Sequence, residues 1–158
     1  MEFNALEVLE TAMRLEKDGL RFYKQASEMF DDTLVKSVFK KLAEDEKHHL
    51  DTLEAQYESL ARFETWMVFQ ELYKGDEESE AVKPKILDEE KLHHMISDGM
   101  TPKQAVKVGI KLEEDSLHYY SKNARDCDEE QGREMFKKLV EFEKQHLDEL
   151  KKLLKKMG

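Results

Sequence analysis

The sequence is poor in the residues that cross-link or interrupt a chain. Its 158 residues include one cysteine, two prolines and six glycines. A single cysteine excludes a disulfide within the chain and any metal site built from several cysteines, because both need more than one thiol. Scarce proline and glycine leave long stretches in which a helix can continue without a break. The composition therefore favours long helices over a small disulfide-linked fold.

Basic charge and long apolar runs are also scarce. Aspartate and glutamate outnumber lysine and arginine by 36 to 26, which gives a formal net charge of −10. An acidic surface repels phosphate backbones, so we expect no nucleic-acid partner. No stretch approaches the roughly 20 apolar residues of a membrane span, and the first residues do not resemble a signal peptide. These absences predict a soluble cytoplasmic protein without a membrane partner.

The sequence contains the same pair of segments twice. Residues 39–53, FKKLAEDEKHHLDTL, recur as residues 136–150, FKKLVEFEKQHLDEL. Residues 13–23, MRLEKDGLRFY, recur as residues 110–120, IKLEEDSLHYY. Both pairs are 97 positions apart, so the connection between the two segments is equally long in each half. Because apolar residues recur at helical spacing in every copy, the pattern predicts two similar helical hairpins.

Helix-start signals support this division. Asn4 is a candidate N-cap with Glu7 three residues later, and Thr101 is a second N-cap followed by Pro102 and by Gln104. These are the residue types that satisfy the free N–H groups of a first helical turn. The predicted helices run over about residues 4–30, 33–61, 101–125 and 129–156.

The predicted fold is all-α, with a single domain over residues 1–158. Two hairpins, 4–61 and 101–156, pack into a four-helix bundle and are joined by a long crossover over 62–100. The crossover has a polar, proline-containing middle and a candidate short helix over 88–97, so it is expected to carry one or two short helices.

Charged residues interrupt the apolar helix faces at matching places. Glu46 lies four residues after Leu42 and four before Leu50, and His49 follows one turn later on the same face. A carboxylate among leucines is costly unless a cation meets it there. The equivalent positions of the four segments hold Glu16, Glu46, His49, Glu113, Glu143 and His146.

Four carboxylates and two imidazoles at one level of a bundle predict a site for two metal ions. One Glu from each of two helices and one Glu-x-x-His from each of the others is the ligand pattern of di-iron and di-manganese carboxylate bundles. The four carboxylates balance two divalent cations, and carboxylate with imidazole suits iron, with manganese or zinc as alternatives. A lone Glu-x-x-His in a charged helix is usually a solvated face. Two copies at one spacing, each with a companion glutamate, favour the metal site.

This arrangement resembles the rubrerythrin family of the ferritin-like di-iron carboxylate superfamily, over about residues 4–61 and 102–156. The resemblance implies two bridging ligands, Glu46 and Glu143, two terminal ligands, Glu16 and Glu113, and one imidazole for each iron, from His49 and His146. It further implies an enzyme of the oxidative-stress response, which reduces hydrogen peroxide or dioxygen.

Two features depart from the family pattern. Rubrerythrins carry a rubredoxin module with four cysteines, whereas this sequence has one cysteine, so electrons are expected from an external donor protein. Rubrerythrins also place an extra glutamate three residues after the helix-three ligand, where this chain has Ser116, with Gly19 as its repeat mate. The small residues Gly19 and Ser116 either leave room for a small oxidant or allow the helices to pack closely. The alternatives to the oxidoreductase are a ferroxidase or iron-handling protein and a non-redox metal-binding bundle.

Tyrosines and one aspartate are candidate supports for these ligands. Tyr23 and Tyr120 lie seven residues after Glu16 and Glu113, so each phenol either donates a hydrogen bond to a ligand carboxylate or simply fills the bundle. Asp45 precedes a bridging glutamate and is a candidate to reach a ligand histidine on a neighbouring helix.

The remaining polar and aromatic residues receive simpler interpretations. We expect four histidines to be solvated: His48, His93, His94 and His118. Cys127, in a polar turn, is expected to be a bystander thiol, with a redox role as the alternative. The aromatic segment around Trp66 predicts packing against the bundle or the surface of a homodimer.

Overall fold

The computed structural model describes residues 2–68 and 99–158. Within these ranges the chain forms four α-helices and no strand. They are α1 (Ala5–Met29), α2 (Thr33–Phe63), α3 (Pro102–Asp126) and α4 (Glu130–Lys156). All four predicted helices are confirmed, and the largest difference is at the end of α2, which continues to Phe63. The predicted crossover helix over 88–97 lies outside the described residues.

Capping side chains account for the helix starts. Asn4 Oδ1 accepts a hydrogen bond from Glu7 N at 3.1 Å. Thr101 Oγ1 accepts from Gln104 N at 3.1 Å, and Gln104 Oε1 accepts in return from Thr101 N at 2.9 Å. These bonds satisfy backbone donors that a first helical turn leaves free, so the predicted caps are confirmed.

The helices pair as the repeat predicts. Helix α1 packs along α2 and α3 along α4, and the two hairpins meet through contacts of α1 with α3 and of α2 with α4. The short connections at residues 30–32 and 127–129 leave each pair no arrangement other than antiparallel. The result is a four-helix bundle. No helix among the residues described has the length and apolar character that a membrane span requires.

A polar layer divides the apolar core into two clusters. The cluster at one end includes Phe22, Val35, Phe39, Val106 and Leu153. The cluster at the other end includes Leu9, Leu53, Met135, Phe136 and Leu139. In every helix the charged residues singled out above lie between the positions that join one cluster and those that join the other. The candidate site therefore occupies the middle of the bundle.

The segment after α2 is bound to α2 by side chain-to-backbone hydrogen bonds. Gln56 Nε2 donates to Met67 O at 2.9 Å, and Met67 N donates to Gln56 Oε1 at 2.8 Å. Ser59 Oγ donates to Thr65 O at 2.6 Å. Since Glu64 adopts the left-handed conformation, with φ of 56°, the helix ends and the chain turns back along it.

Trp66 and Cys127 close one end of the bundle. The Trp66 ring packs edge-on against Phe136, with 6.2 Å between ring centroids, which confirms the packing interpretation of this residue. A Cβ at Gly132 would lie 2.9 Å from the Trp66 ring and 2.5 Å from Cys127 Sγ, so both side chains need the glycine. Cys127 is only 3% exposed despite its polar neighbours in sequence, and burial raises the pKa of its thiol.

Candidate metal centre

The bundle brings all six predicted site residues into one buried cluster. Each is between 0 and 3% exposed. Their nitrogen and oxygen atoms form two groups, within each of which the atoms lie no more than 4.8 Å apart. One group is Glu16, Glu46, His49 and Glu143; the other is Glu46, Glu113, Glu143 and His146. The two glutamates that the resemblance assigns as bridges are the two that belong to both groups.

Several buried nitrogen and oxygen atoms of the cluster have the surroundings of metal ligands. Six of its buried atoms have no hydrogen-bond partner among the described residues: Glu16 Oε2, His49 Nδ1, Glu113 Oε2, both Glu143 oxygens and His146 Nδ1. Buried polar atoms in folded proteins nearly always have partners. His49 Nδ1 faces Glu143 Oε1 at 3.3 Å, and His146 Nδ1 faces Glu46 Oε1 at 3.4 Å. Because a divalent cation between such atoms would satisfy them together, the residues fit a two-metal centre.

In the metal-free protein, the carboxylates of the cluster raise the pKa values of its two histidines. Burial alone lowers the pKa of an imidazole, but the carboxylates of Glu16 and Glu143 raise that of His49 to about 10. The carboxylate of Asp45 and the neighbouring glutamates likewise raise the pKa of His146 to about 12. Burial, together with the adjacent carboxylates, raises the pKa of Glu143 well above its ordinary range. Protons therefore supply the positive charge that the cluster otherwise needs from metal.

We expect the metal-free protein to lose stability as the pH rises above about 6.5. His49 and His146 bind protons more tightly in the folded chain, so their contribution to the free energy of unfolding is complete below the unfolded pKa of 6.5. It is lost as the pH rises through about 10 for His49 and about 12 for His146. The raised pKa of Glu143 likewise makes the free energy of unfolding fall as the pH rises. Thermal unfolding of chelator-treated protein between pH 6.5 and pH 10 measures the fall in melting temperature.

Protein loaded with zinc before the same scans is the control. Metal holds the imidazoles in their neutral form, so the fall in melting temperature over this pH range should be smaller. A melting temperature of the metal-free protein that stays level or rises with pH would contradict the assignment of charge in the cluster.

Two tyrosines connect the cluster across the hairpins. Tyr23 on α1 donates a hydrogen bond to Glu113 on α3 at 2.7 Å, and Tyr120 on α3 donates to Glu16 on α1 at 2.6 Å. Both side chains are fully buried, and burial together with the nearby carboxylates raises their pKa well above 10.0. The phenols thus remain donors. Of the two interpretations that the sequence left open, the structure shows the hydrogen bond to a cluster carboxylate, and each bond reaches the opposite hairpin.

The two histidines have different neighbours on their outer sides. Asp45 Oδ2 lies 3.0 Å from His146 Nε2, the contact that the sequence suggested. The repeat mate of Asp45 is Phe142, whose ring stacks on His49 with 5.2 Å between centroids and 24° between planes. Sequence reasoning missed this stacking. Its only signal is the place of Phe142 directly before Glu143.

The other candidates lie where the sequence predicted or outside the described range. His48 and His118 are exposed, whereas His93 and His94 are not among the described residues. A Cβ at Gly19 would make ordinary contact with Glu46, 3.5 Å from its Cδ, so helix packing does not require glycine there.

Comparisons with known proteins agree with this fold. A candidate ferritin-like diiron-carboxylate protein from Thermotoga maritima has a similar structure, with a TM-score of 0.70 at 24% identity, covering 99% of this chain and 98% of that chain. A likeness at this identity shows the fold. No curated protein matches the sequence significantly. The family model of rubrerythrin matches residues 7–154, which include nearly all of both hairpins and all six cluster residues. The chain therefore belongs to the rubrerythrin family.

Proposed function

We propose that this protein is a non-haem di-iron oxidoreductase that reduces hydrogen peroxide or dioxygen with electrons from an external donor protein. The observation that supports the proposal is the pair of overlapping ligand groups that share Glu46 and Glu143. When bound there, two ferrous ions would supply one electron each. Reduction of peroxide to two water molecules consumes those two electrons and two protons, and the donor protein then restores the ferrous state.

The side chains around the cluster suit a small oxidant. The six donor residues are at most 3% exposed in the described part of the chain, so the side chains close the site to bulk water. Small molecules such as peroxide and dioxygen fit this restriction. The phenols of Tyr23 and Tyr120 hold one oxygen of Glu113 and of Glu16 by hydrogen bonds, which keeps those carboxylates oriented while charge in the centre changes.

The proposal is tested by adding hydrogen peroxide to anaerobic protein loaded with ferrous iron. We expect the ferric absorption to appear with one peroxide consumed for every two ferrous ions, and repeated turnover once a reductant is supplied. The matched control is the Glu46→Gln, Glu143→Gln double variant mixed with the same amount of iron. Iron oxidation no faster than in that control would overturn the proposal.

An iron-handling role is the second candidate, and one observation favours it. This sequence has a single cysteine and so carries no cysteine-bound electron-transfer centre of its own to reset the site. A ferroxidase would need no such reset. Iron that accumulates beyond two ions per chain, in a large assembly, would support it. A non-redox role predicts zinc or manganese instead, which metal analysis of protein from its native host distinguishes.

A further inference from the structure

The repeat makes the two halves of the metal centre nearly equivalent in their ligands, but one half has a charged side chain beside a shared glutamate where the other has none. Each half contributes a terminal glutamate, a shared glutamate and a histidine, and each terminal glutamate accepts a hydrogen bond from a tyrosine. A difference lies at the position directly before the shared glutamate. One half has Asp45 there and the other has Phe142.

Asp45 lies within hydrogen-bond distance of one of the two histidines, His146. Its Oδ2 lies 3.0 Å from His146 Nε2, while Nδ1 of the same ring faces the cluster. The Asp45 side chain is 35% exposed and that of His146 is 4% exposed, so the carboxylate lies on the outer side of the ring. The nearby cation Lys41 forms its ion pair with Glu149, at 2.6 Å.

His49 has an apolar neighbour, Phe142, from the equivalent repeat position, and this neighbour lies on the face of the ring. The phenyl ring of Phe142 stacks on it and carries neither a charge nor an acceptor for a ring N–H. A carboxylate that accepts from a ligand histidine fixes the tautomer and orientation of the ring and makes the ligand more basic. Asp45 has this effect on His146, whereas the Phe142 ring only packs against His49.

We propose that the two metal positions differ in affinity and that Asp45, acting through His146, makes one of them fill first. The first position is formed by Glu46, Glu113, Glu143 and His146, and the second by Glu16, Glu46, His49 and Glu143. Removing such a supporting carboxylate changes metal affinity by about 10–100-fold, which sets the expected separation. At low metal supply the protein then holds one ion, with the His49 position open to exchange. This inference rests on the metal centre of the proposed function but not on peroxide chemistry.

The test is a titration of chelator-treated protein with zinc, which has no redox chemistry. Competition with a chelator gives the two dissociation constants, and nitrogen-15 spectra of labelled histidine show which ring binds at each step. We expect two steps about 10–100-fold apart, with the His146 signals shifting before those of His49.

Two variants separate the role of the carboxylate from a merely structural one. Asp45→Asn keeps the shape and should weaken the first step by about 10–100-fold, so that the two steps merge. Phe142→Asp installs the mirror carboxylate beside His49 and should tighten the second step. The matched control is Asp148→Asn, which removes the same charge from an exposed site on α4 and should change neither step.

Several results would overturn the inference. Wild-type protein that binds both ions with one affinity, with both histidine signals shifting together, is one such result. Unchanged affinity and order in Asp45→Asn is another, and it decides the matter even if Phe142→Asp does not fold. Failure to bind zinc at all would remove the metal centre, and the proposed function with it. Normal stepwise binding without any peroxide reaction would remove the proposed function alone.

Discussion

Replacement of Glu46 and Glu143 by glutamine is expected to abolish stoichiometric metal binding. These two glutamates belong to both ligand groups, so the double variant leaves each ion with one glutamate and one histidine. The carboxylates available to two divalent ions fall from four to two. Replacing only a residue that supports a ligand lowers metal affinity by about 10–100-fold, and the loss in this double variant should be larger. Metal content after dialysis, measured by atomic emission, gives the result directly.

The chain offers a closely matched control for this double variant. Glu44 and Glu141 lie two positions earlier in the same helices and occupy equivalent places in the repeat, but both are exposed. Glu44→Gln with Glu141→Gln removes the same charge and should retain two ions per chain. Two ions retained after dialysis by the Glu46→Gln, Glu143→Gln variant would show that the cluster is not the metal site.

Removal of metal from the wild-type protein is expected to lower its melting temperature by on the order of 20 °C. A ligand present at 1,000 times its dissociation constant stabilises the folded state by about 4 kcal/mol per site, and the centre has two sites. In a domain of this size each kcal/mol corresponds to roughly 2–4 °C. Calorimetry of zinc-loaded and chelator-treated protein at one pH measures the difference.

The double glutamine variant also serves as the control for this measurement. Because it lacks the shared ligands, zinc and chelator should leave its melting temperature unchanged. Equal melting temperatures of the loaded and chelated wild-type protein would mean that metal contributes nothing to the stability of the bundle.

Local sequence patterns were sufficient to predict the helices but not every helix end. The caps at Asn4 and Thr101 depend on residues within one turn, and such short-range chemistry is visible in the sequence. The end of α2 depends on Gln56 and Ser59, whose side chains bind backbone groups several residues ahead. The extended segment that supplies those groups has no periodic pattern, so its path along α2 could not be predicted.

The candidate site was predictable to a similar degree. A charged residue inside an apolar stripe is conspicuous at helical spacing, and the repeat doubles the signal, so all six residues could be identified. The partners of Tyr23 and Tyr120 depend on distances between helices, which no periodicity gives. The burial of Cys127 likewise depends on Trp66 and Gly132, which lie far apart in the sequence but meet in the fold.

The polar layer between the two apolar clusters affects how the bundle opens. The middle of a helical bundle usually exchanges its amide hydrogens last, because it lies farthest from the fraying ends. In this bundle the middle layer consists of charged side chains, and the two apolar clusters lie on either side of it, towards the ends. With metal bound, the two ends of the bundle should unfold together as one cooperative unit. Without metal, the two apolar ends share helices but should each unfold locally.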